Sequence, residues 1–271
     1  MNFFRPIQPP ILEADPLDST YRYREYLPSE SLASYVACYW TVDYCGLNTN
    51  KLHRIVPDGC VDIIVDLHAS SPTKGAFIAG LMTQYKVLNL SEKCSSFGIR
   101  FYLDTVDYFL NHSVSEFIGN QVFLEDIWGV DGDYFVKEII SATDITEMIV
   151  KVESKLLNVL QKNTLKRNCL IQASMHYMFD SKGIISIRSL SEKLCYSERH
   201  IRRSFQSELG VSPKEIINII RFQNILHELK IDSRPCFTEI AMKYGYYDQS
   251  HFCKNFKGLY GVSPSGIGLK K

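Results

Sequence analysis

The side chains best suited to chemistry stand in two short runs near the C-terminus. Arg199, Arg202, Arg203 and Gln206 recur one to four residues apart in the first run, and Gln249, Ser250, His251, Lys254 and Lys257 do so in the second. On a helix such spacing gathers side chains on one face. Ile201, Phe205 and Leu209 fall on the other face of the first run, and Phe252, Phe256 and Leu259 on that of the second, so each run has a stripe to bury and a face left free. Guanidinium, amide, hydroxyl, imidazole and ammonium groups on a free helix face are the groups that read base edges and hold phosphates. Arg199 and Arg202 are expected at bases, Arg203 at a phosphate or paired with Glu208, and Lys257 and Ser197 at phosphates; His251 competes for a role in the capping turn. A basic helix face is more often only a solvated surface, so the assignment needs support from elsewhere in the chain.

That support is repetition. Gly210-Val211-Ser212-Pro213 returns as Gly261-Val262-Ser263-Pro264, Phe205 as Phe256 and His200 as His251, all 51 residues on. Upstream, Leu190 falls on Ile240, Leu194 on Tyr244 and Tyr196 on Tyr246 at an offset of 50, so the second copy carries one inserted residue near Tyr247. A turn between two helices tolerates such an insertion. Ser197 and Asp248 stand where N-caps belong, and each copy is predicted to be a helix-turn-helix. Between them Pro213 to about Lys230 reads as one helix, with Pro213 at its start. At ~1.5 Å per residue it is about 27 Å long. Successive major grooves on one face of DNA lie ~34 Å apart, so engaging both predicts tilted helices or bent DNA.

The run G-Y-Y-D-Q-S-H-F-C-K-N-F-K-G-L-Y-G-V-S-P (245–264) resembles the signature of the AraC/XylS family of transcriptional regulators. S-x-R-x-I-x-R-x-F-x-x-x-x-G-V-S-P (197–213) is similar to that family's first helix-turn-helix. Cys253 and Lys254 stand where a Ser-Arg pair is common, and Gly266 replaces a larger residue. The resemblance covers about the last hundred residues and implies a bacterial DNA-binding regulator with no catalytic residues.

Charge is distributed accordingly. The chain has 30 basic and 30 acidic residues, but residues 181–271 hold 15 Lys and Arg against 8 Asp and Glu, a net of +7 that leaves −7 on the remainder. A basic third beside an acidic rest fits a DNA-binding domain attached to another function. No apolar run reaches the ~18 residues of a membrane helix, and the N-terminus lacks the pattern of a secretory signal, so the expected location is the cytoplasm. The eight cysteines form no C-x-x-C pair, which argues against structural zinc and fits reduced thiols.

Residues 21 to 102 read as β: YRYREYL, SYVACYWTVDY, HRIV, VDIIVDLH, AFIAGL, YKVLNL and SFGIRFY alternate with turn clusters, and Pro57-Asp58-Gly59 is a turn by its residue types. Val61, Ile63, Val65 and Leu67 share one strand face, Asp62, Ile64, Asp66 and His68 the other. Short helices are expected at LDTVDYFLN and SVSEFIGN, and a turn around a buried Trp128 at Leu124–Gly129. A capping box at Asp144 opens a helix whose stripe is Ile145, Ile149, Val152, Leu156, Val159 and Leu160. This half also resembles the N-terminal half of a subgroup of AraC-type regulators through L-P-S-E-S-L-A-S-Y-V-A-C-Y-W, V-P-D-G-C-V-D-I-I, F-I-A-G-L-M-T and L-E-D-I-W-G. The resemblance implies a cupin-like barrel that binds an effector or mediates dimerisation, with the helix at 145–160 pairing two copies.

The expected fold is therefore α+β in two domains. Residues 1–163 form an antiparallel cupin-like β-barrel to about 128 with helices to 163, and residues 164–271 an all-α double helix-turn-helix. The function expected is a DNA-binding regulator, an activator responding to a small effector, with double-stranded DNA and RNA polymerase as partners, a homodimer as its assembly and no cofactor. Trp40, Phe77, Tyr85 and Phe101 are the aromatics placed to line an effector pocket, although strand aromatics are more often core. Arg100, opposite Phe97, Ile99 and Phe101, is the strand charge suited to an anionic ligand. Two alternatives stand beside this: a regulator governed by a protein partner, and a metal-dependent cupin enzyme fused to a DNA-binding domain. For the enzyme only His53, His68 and His112 are at hand, and Asp66 with His68 is too few ligands to hold a metal.

Overall fold

The computed structural model describes residues 4–13, 20–46, 51–90, 92–119, 122–162, 169–231 and 235–267. The strands are β1 (Tyr21–Tyr26), β2 (Val36–Tyr44), β3 (Lys51–Ile55), β4 (Cys60–Asp66), β5 (Ala76–Ala79), β6 (Lys86–Leu90), β7 (Cys94–Tyr102) and β8 (Val122–Phe123). The helices are α1 (Pro9–Glu13), α2 (Asp107–Leu110), α3 (Leu124–Trp128), α4 (Val130–Ile140), α5 (Ile145–Lys162), α6 (Cys169–Asp180), α7 (Ile187–Leu194), α8 (Glu198–Leu209), α9 (Pro213–Ile231), α10 (Phe237–Lys243) and α11 (Gln249–Tyr260). The expected boundary at 163/164 lies outside the described residues.

The strands form an antiparallel sheet in the order β1-β2-β7-β4-β5-β8 and a separate ribbon, β3-β6. The cupin-like sheet expected from the alternation is present, but it remains open, with β1 and β8 as its edges, rather than closing into a barrel. Period-two alternation gives the sheet two unlike faces. Val61, Ile63, Val65, Phe97, Ile99 and Phe101 are fully buried in a common core on one face. Across the ladder Asp62 opposes Arg100, Ile64 opposes Gly98 and Trp40 opposes Gly98, which puts these side chains on the other face.

Helices α2 to α5 continue the apolar face. Leu124–Trp128 is a helix, not the expected turn: Phe123 is extended ahead of it and Gly129 ends it, and Trp128 is half-buried, its Nε1 donating to the Phe109 carbonyl at 2.9 Å. The cap of α5 is present, with Glu147 N–H donating to Asp144 Oδ1, while the reciprocal carboxylate takes the N–H and hydroxyl of Thr143, one residue further back than the expected box. The apolar stripe of α5 faces its own subunit. Val152 and Leu156 are fully buried, and Ile145, Ile149, Val159 and Leu160 pack on the same core. Glu153 beside them accepts from Ser29 N–H and Tyr39 Oη. Within the subunit, then, Val152 and Leu156 of this stripe are fully covered, and Ile145, Ile149, Val159 and Leu160 partly so.

The C-terminal helices share cores with the N-terminal half. Leu209, Ile216 and Ile217 join the cluster containing Phe109 and Phe117, while Phe222, Ile225, Phe256 and Tyr260 meet Ile7, Leu12 and Val56. Gln223, fully buried in the middle of α9, is satisfied by this second contact. Its Oε1 accepts from Ile7 N–H at 2.7 Å and its Nε2 donates to the Ile7 and Pro57 carbonyls. A buried amide with its partners intact costs little, whereas an orphaned one costs ~1–3 kcal/mol, so Gln223 fixes how α9 meets the N-terminal segments.

Candidate nucleic-acid interface

Each helix-turn-helix is built by the same local devices. Ser197 is extended and its side chain accepts from His200 N–H, opening α8; Asp248 accepts from His251 N–H, opening α11. Gly210 and Gly261 close the two helices in the left-handed region, at φ 68° and 95°. The inserted residue falls in the second turn, between the left-handed Gly245 and the Asp248 cap, where copy one has only Tyr196 between the left-handed Cys195 and Ser197. Ile201, Phe205 and Leu209 bury one side of α8, and Phe252, Phe256, Leu259 and Tyr260 one side of α11. α9, 19 residues and about 28 Å long, joins the two units.

Ser197, Arg199, Arg202, Arg203 and Gln206 are all exposed, as are Gln249, Ser250, His251, Lys254 and Lys257. They form two polar helix faces. Some of these groups are lightly engaged: Arg202 pairs with Glu198 at 3.0 Å, Arg203 approaches His200 Nδ1 at 3.3 Å, Gln206 donates to the Gly210 carbonyl, and Gln249 accepts from Thr238 Oγ1. Exposed pairs of this kind hold only ~0–1 kcal/mol, so DNA can exchange them. Arg199, Lys254 and Lys257 make no ion pair among the described residues. The backbone of His251 is the group capped by Asp248, and its ring packs edge-on to Tyr246 at 5.3 Å.

Two further side chains share this surface. Tyr196 and Tyr247 immediately precede the caps and are 48% and 93% exposed. Their place in front of Ser197 and Asp248 was available in the repeat, but the alignment of Tyr196 with Tyr246 hid it, because Tyr246 is buried against Phe252.

Both recognition helices end against the N-terminal half. Ser113 Oγ donates to the Glu208 carbonyl at 2.6 Å and Ser115 Oγ to that of Ser207, carbonyls that the last turn of α8 leaves unpaired. Ile118 lies beside Gly210 and the Tyr85 ring beside Gly261. Arg54 sits 5.3 Å over the Tyr260 ring. The N-terminal half therefore touches the two copies at matching points.

A cavity of about 90 Å³ opens on the polar face of the sheet, lined by Trp40, Tyr23, His53, Asp58, Asp62, Arg100 and apolar neighbours. Of the five residues expected there, Trp40 and Arg100 line it. Phe77 faces the same way but stands next to edge strand β8, opposite Phe123, away from the cavity. Tyr85 is at the Gly261 contact instead, and Phe101 is plain core. Trp40 lies flat across β7, where any side chain at position 98 would collide with its indole. Arg100 is not a free anion-binding group. It is buried, with Nε and Nη2 on Asp62 at 3.1 and 3.0 Å, Nε also on Asp58 at 3.1 Å, and Nη1 at 3.6 Å from Glu25. The Asp58 carboxylate is aimed by its own turn, taking Cys60 N–H, and by Gln8 Nε2 at 2.7 Å. Burial, outweighing Arg100, pushes Asp62 up to about 6, and burial with Arg100 holds His53 down to about 4.

Among the described residues no three His, Cys, Asp or Glu groups are placed to share a metal ion. His53 Nδ1 is bonded to Tyr21 Oη, His112 to Glu116, and Asp66 takes the backbone N–H of His68. No helix among the described residues is long and apolar enough to cross a membrane.

Residues 190–267 match a helix-turn-helix domain family, and residues 24–123 match a family described as a domain of unknown function, DUF6597. An uncharacterized HTH-type transcriptional regulator of Haemophilus influenzae is 37% identical over 79 residues, 29% of this chain and 26% of that protein. The multiple antibiotic resistance protein MarA of Escherichia coli is 30% identical over 80 residues, 30% of this chain and 62% of MarA. The chain thus spans less than two thirds of either relative. The probable transcriptional regulator LumQ of Photobacterium leiognathi is 24% identical over 222 residues, 69% of this chain and 86% of LumQ. Among solved structures, ToxT from Vibrio cholerae aligns over 92% of this chain and 96% of its own at 15% identity, with a TM-score of 0.41.

Proposed function

We propose that the chain is a DNA-binding transcriptional regulator of the AraC type and that one subunit reads two consecutive major grooves, with α8 in one and α11 in the next. The observation that carries this is the pair of exposed polar faces, each on a helix with the same N-cap and the same left-handed glycine at its end. Arg199 and Arg202 contact bases, guanine being the favoured partner of an arginine in the major groove. Gln249, Ser250, His251 and Lys254 read the second groove; Gln206 reads beside Arg202; Arg203, Ser197 and Lys257 hold phosphates. The N-terminal cavity takes a small effector, and the matching contacts at Gly210 and Gly261 carry its state to both readers. The protein works as an activator, in the cytoplasm and alongside RNA polymerase.

The test is selection of bound sequences from a random duplex pool, followed by hydroxyl-radical footprinting. The expected product is an asymmetric site with two protected segments about one helical turn apart. A single protected segment, or no enriched sequence, refutes the two-groove reading.

A further inference from the structure

The charge balance of the N-terminal cavity selects among ligand classes. Its floor holds one guanidinium, Arg100, against Asp58 and Asp62, with Glu25 adding a third carboxylate at Arg100 Nη1. Nε and Nη2 of Arg100 already grip Asp62 as a fork, with Nε also on Asp58 and Nη1 facing Tyr23 Oη and Glu25, so an incoming carboxylate or phosphate would meet a guanidinium already outnumbered by carboxylates. The carboxylates are themselves hydrogen-bonded, Asp62 also to Trp40 Nε1, Asp58 to Gln8 Nε2 and Cys60 N–H, and Glu25 to Tyr23 Oη, but these partners are neutral and leave negative charge in surplus. His53 in the wall adds no positive charge at neutral pH, since burial and Arg100 hold it to its neutral form. Above the floor stands the Trp40 indole, fixed by its Nε1 bond to Asp62 at 2.9 Å and stacked on Tyr23 at 6.3 Å. A fixed aromatic ring beside excess negative charge attracts a cation.

We infer that this cavity binds a small organic cation, its ammonium group seated beside Trp40 and the Asp58 and Asp62 carboxylates, and that it excludes carboxylate and phosphate ligands. This rests on the reading of the N-terminal half as an effector domain. The cavity, about 90 Å³, takes a head group of a few heavy atoms. A single buried carboxylate partner for Arg100 would have balanced the site; the second and third make it a cation site.

The chain has two tryptophans, so Trp128→Phe leaves Trp40 as the sole indole reporter. Its fluorescence is titrated at constant ionic strength with isobutylamine, isobutanol and isobutyrate, which share one carbon skeleton. The amine is expected to give a saturable change with a midpoint about tenfold or more below that of the alcohol, and isobutyrate none. Asp58→Asn should weaken the amine response, and Glu25→Gln, at the cavity's outer side, should do so with the Arg100–Asp62 pair intact. Saturation by isobutyrate, equal midpoints for amine and alcohol, no saturation by any probe, or an amine response untouched by both substitutions overturns the inference. A duplex titration on the same sample separates the premises. DNA binding without an amine response removes only the cation assignment, and loss of DNA binding removes the regulator reading beneath it.

Discussion

Replacing Gly261 by Ala tests whether the N-terminal half truly rests on the second recognition helix. Two costs add at this position. At φ 95° the residue is left-handed, which a Cβ penalises by ~1–2 kcal/mol. The new Cβ would also lie 2.7 Å from Tyr85 Cε2 and 2.9 Å from its Cδ2; the half-exposed Tyr85 ring must swing aside, at a cost of ~0.5–1.5 kcal/mol. Gly245 supplies the control, since it is left-handed at φ 71° but its Cβ would meet only Ile184 at 3.6 Å, so Gly245→Ala carries the strain alone, ~1–2 kcal/mol. Gly261→Ala should therefore lose ~1.5–3.5 kcal/mol in urea unfolding. In a Tyr85→Ala background the collision is gone, and the double-mutant cycle should return a coupling of about 0.5–1.5 kcal/mol. Equal losses for Gly245→Ala and Gly261→Ala, with coupling below ~0.5 kcal/mol, would show that Tyr85 and the α11 cap do not meet in solution.

Other outcomes follow from the same geometry. Cys195 ends α7 in the left-handed region at φ 55°, so Cys195→Gly should raise stability by ~0.5–1 kcal/mol, the relieved strain less glycine's greater freedom when unfolded; unchanged urea midpoints would deny the strain. His53 is held down to about 4, so the unfolded chain takes up its proton first as pH falls. The stability of the neutral ring is full above about 6.5 and is lost toward pH 4, roughly 2 kcal/mol by pH 5. Asp62 and Asp104, pushed up to about 6 by burial, work in the opposite sense across pH 4–6. The comparison that isolates the histidine is therefore wild type against His53→Gln, whose curves should converge toward acid, parallel curves being the contrary result. Because α9 is about 28 Å long and the groove spacing ~34 Å, the bound duplex should bend, at a cost of a few kcal/mol; straight DNA in a phasing assay with both segments protected would contradict a rigid α9.

The features legible in the chain were local ones. Alternation along Val61 to Asp66 gave the two sheet faces, and the Ser197 and Asp248 caps and the paired glycines gave both helix-turn-helix units, because each depends on residues a few positions apart. Contacts over long separations were not legible. Nothing near Arg100 in sequence says that Asp58, Asp62 and Glu25 converge on it, which is why it looked like an anion site. The α5 stripe could not tell its own core from a partner, since both want the same apolar side chains. Ser113, Ser115 and Tyr85 carried no signal until the last turns of α8 and α11 were seen against them.

One titration tests the two reading helices most directly, with the selected duplex and its single-base variants bound by Arg202→Ala and Lys257→Ala. Arg202→Ala is expected to weaken binding by about 1–3 kcal/mol and to stop discriminating the base at one position in one half of the site. Lys257→Ala is expected to weaken every duplex alike and lower the salt slope by about one. If Arg202→Ala weakens all duplexes equally, or Lys257→Ala changes which base is preferred, α8 and α11 are not the readers described here.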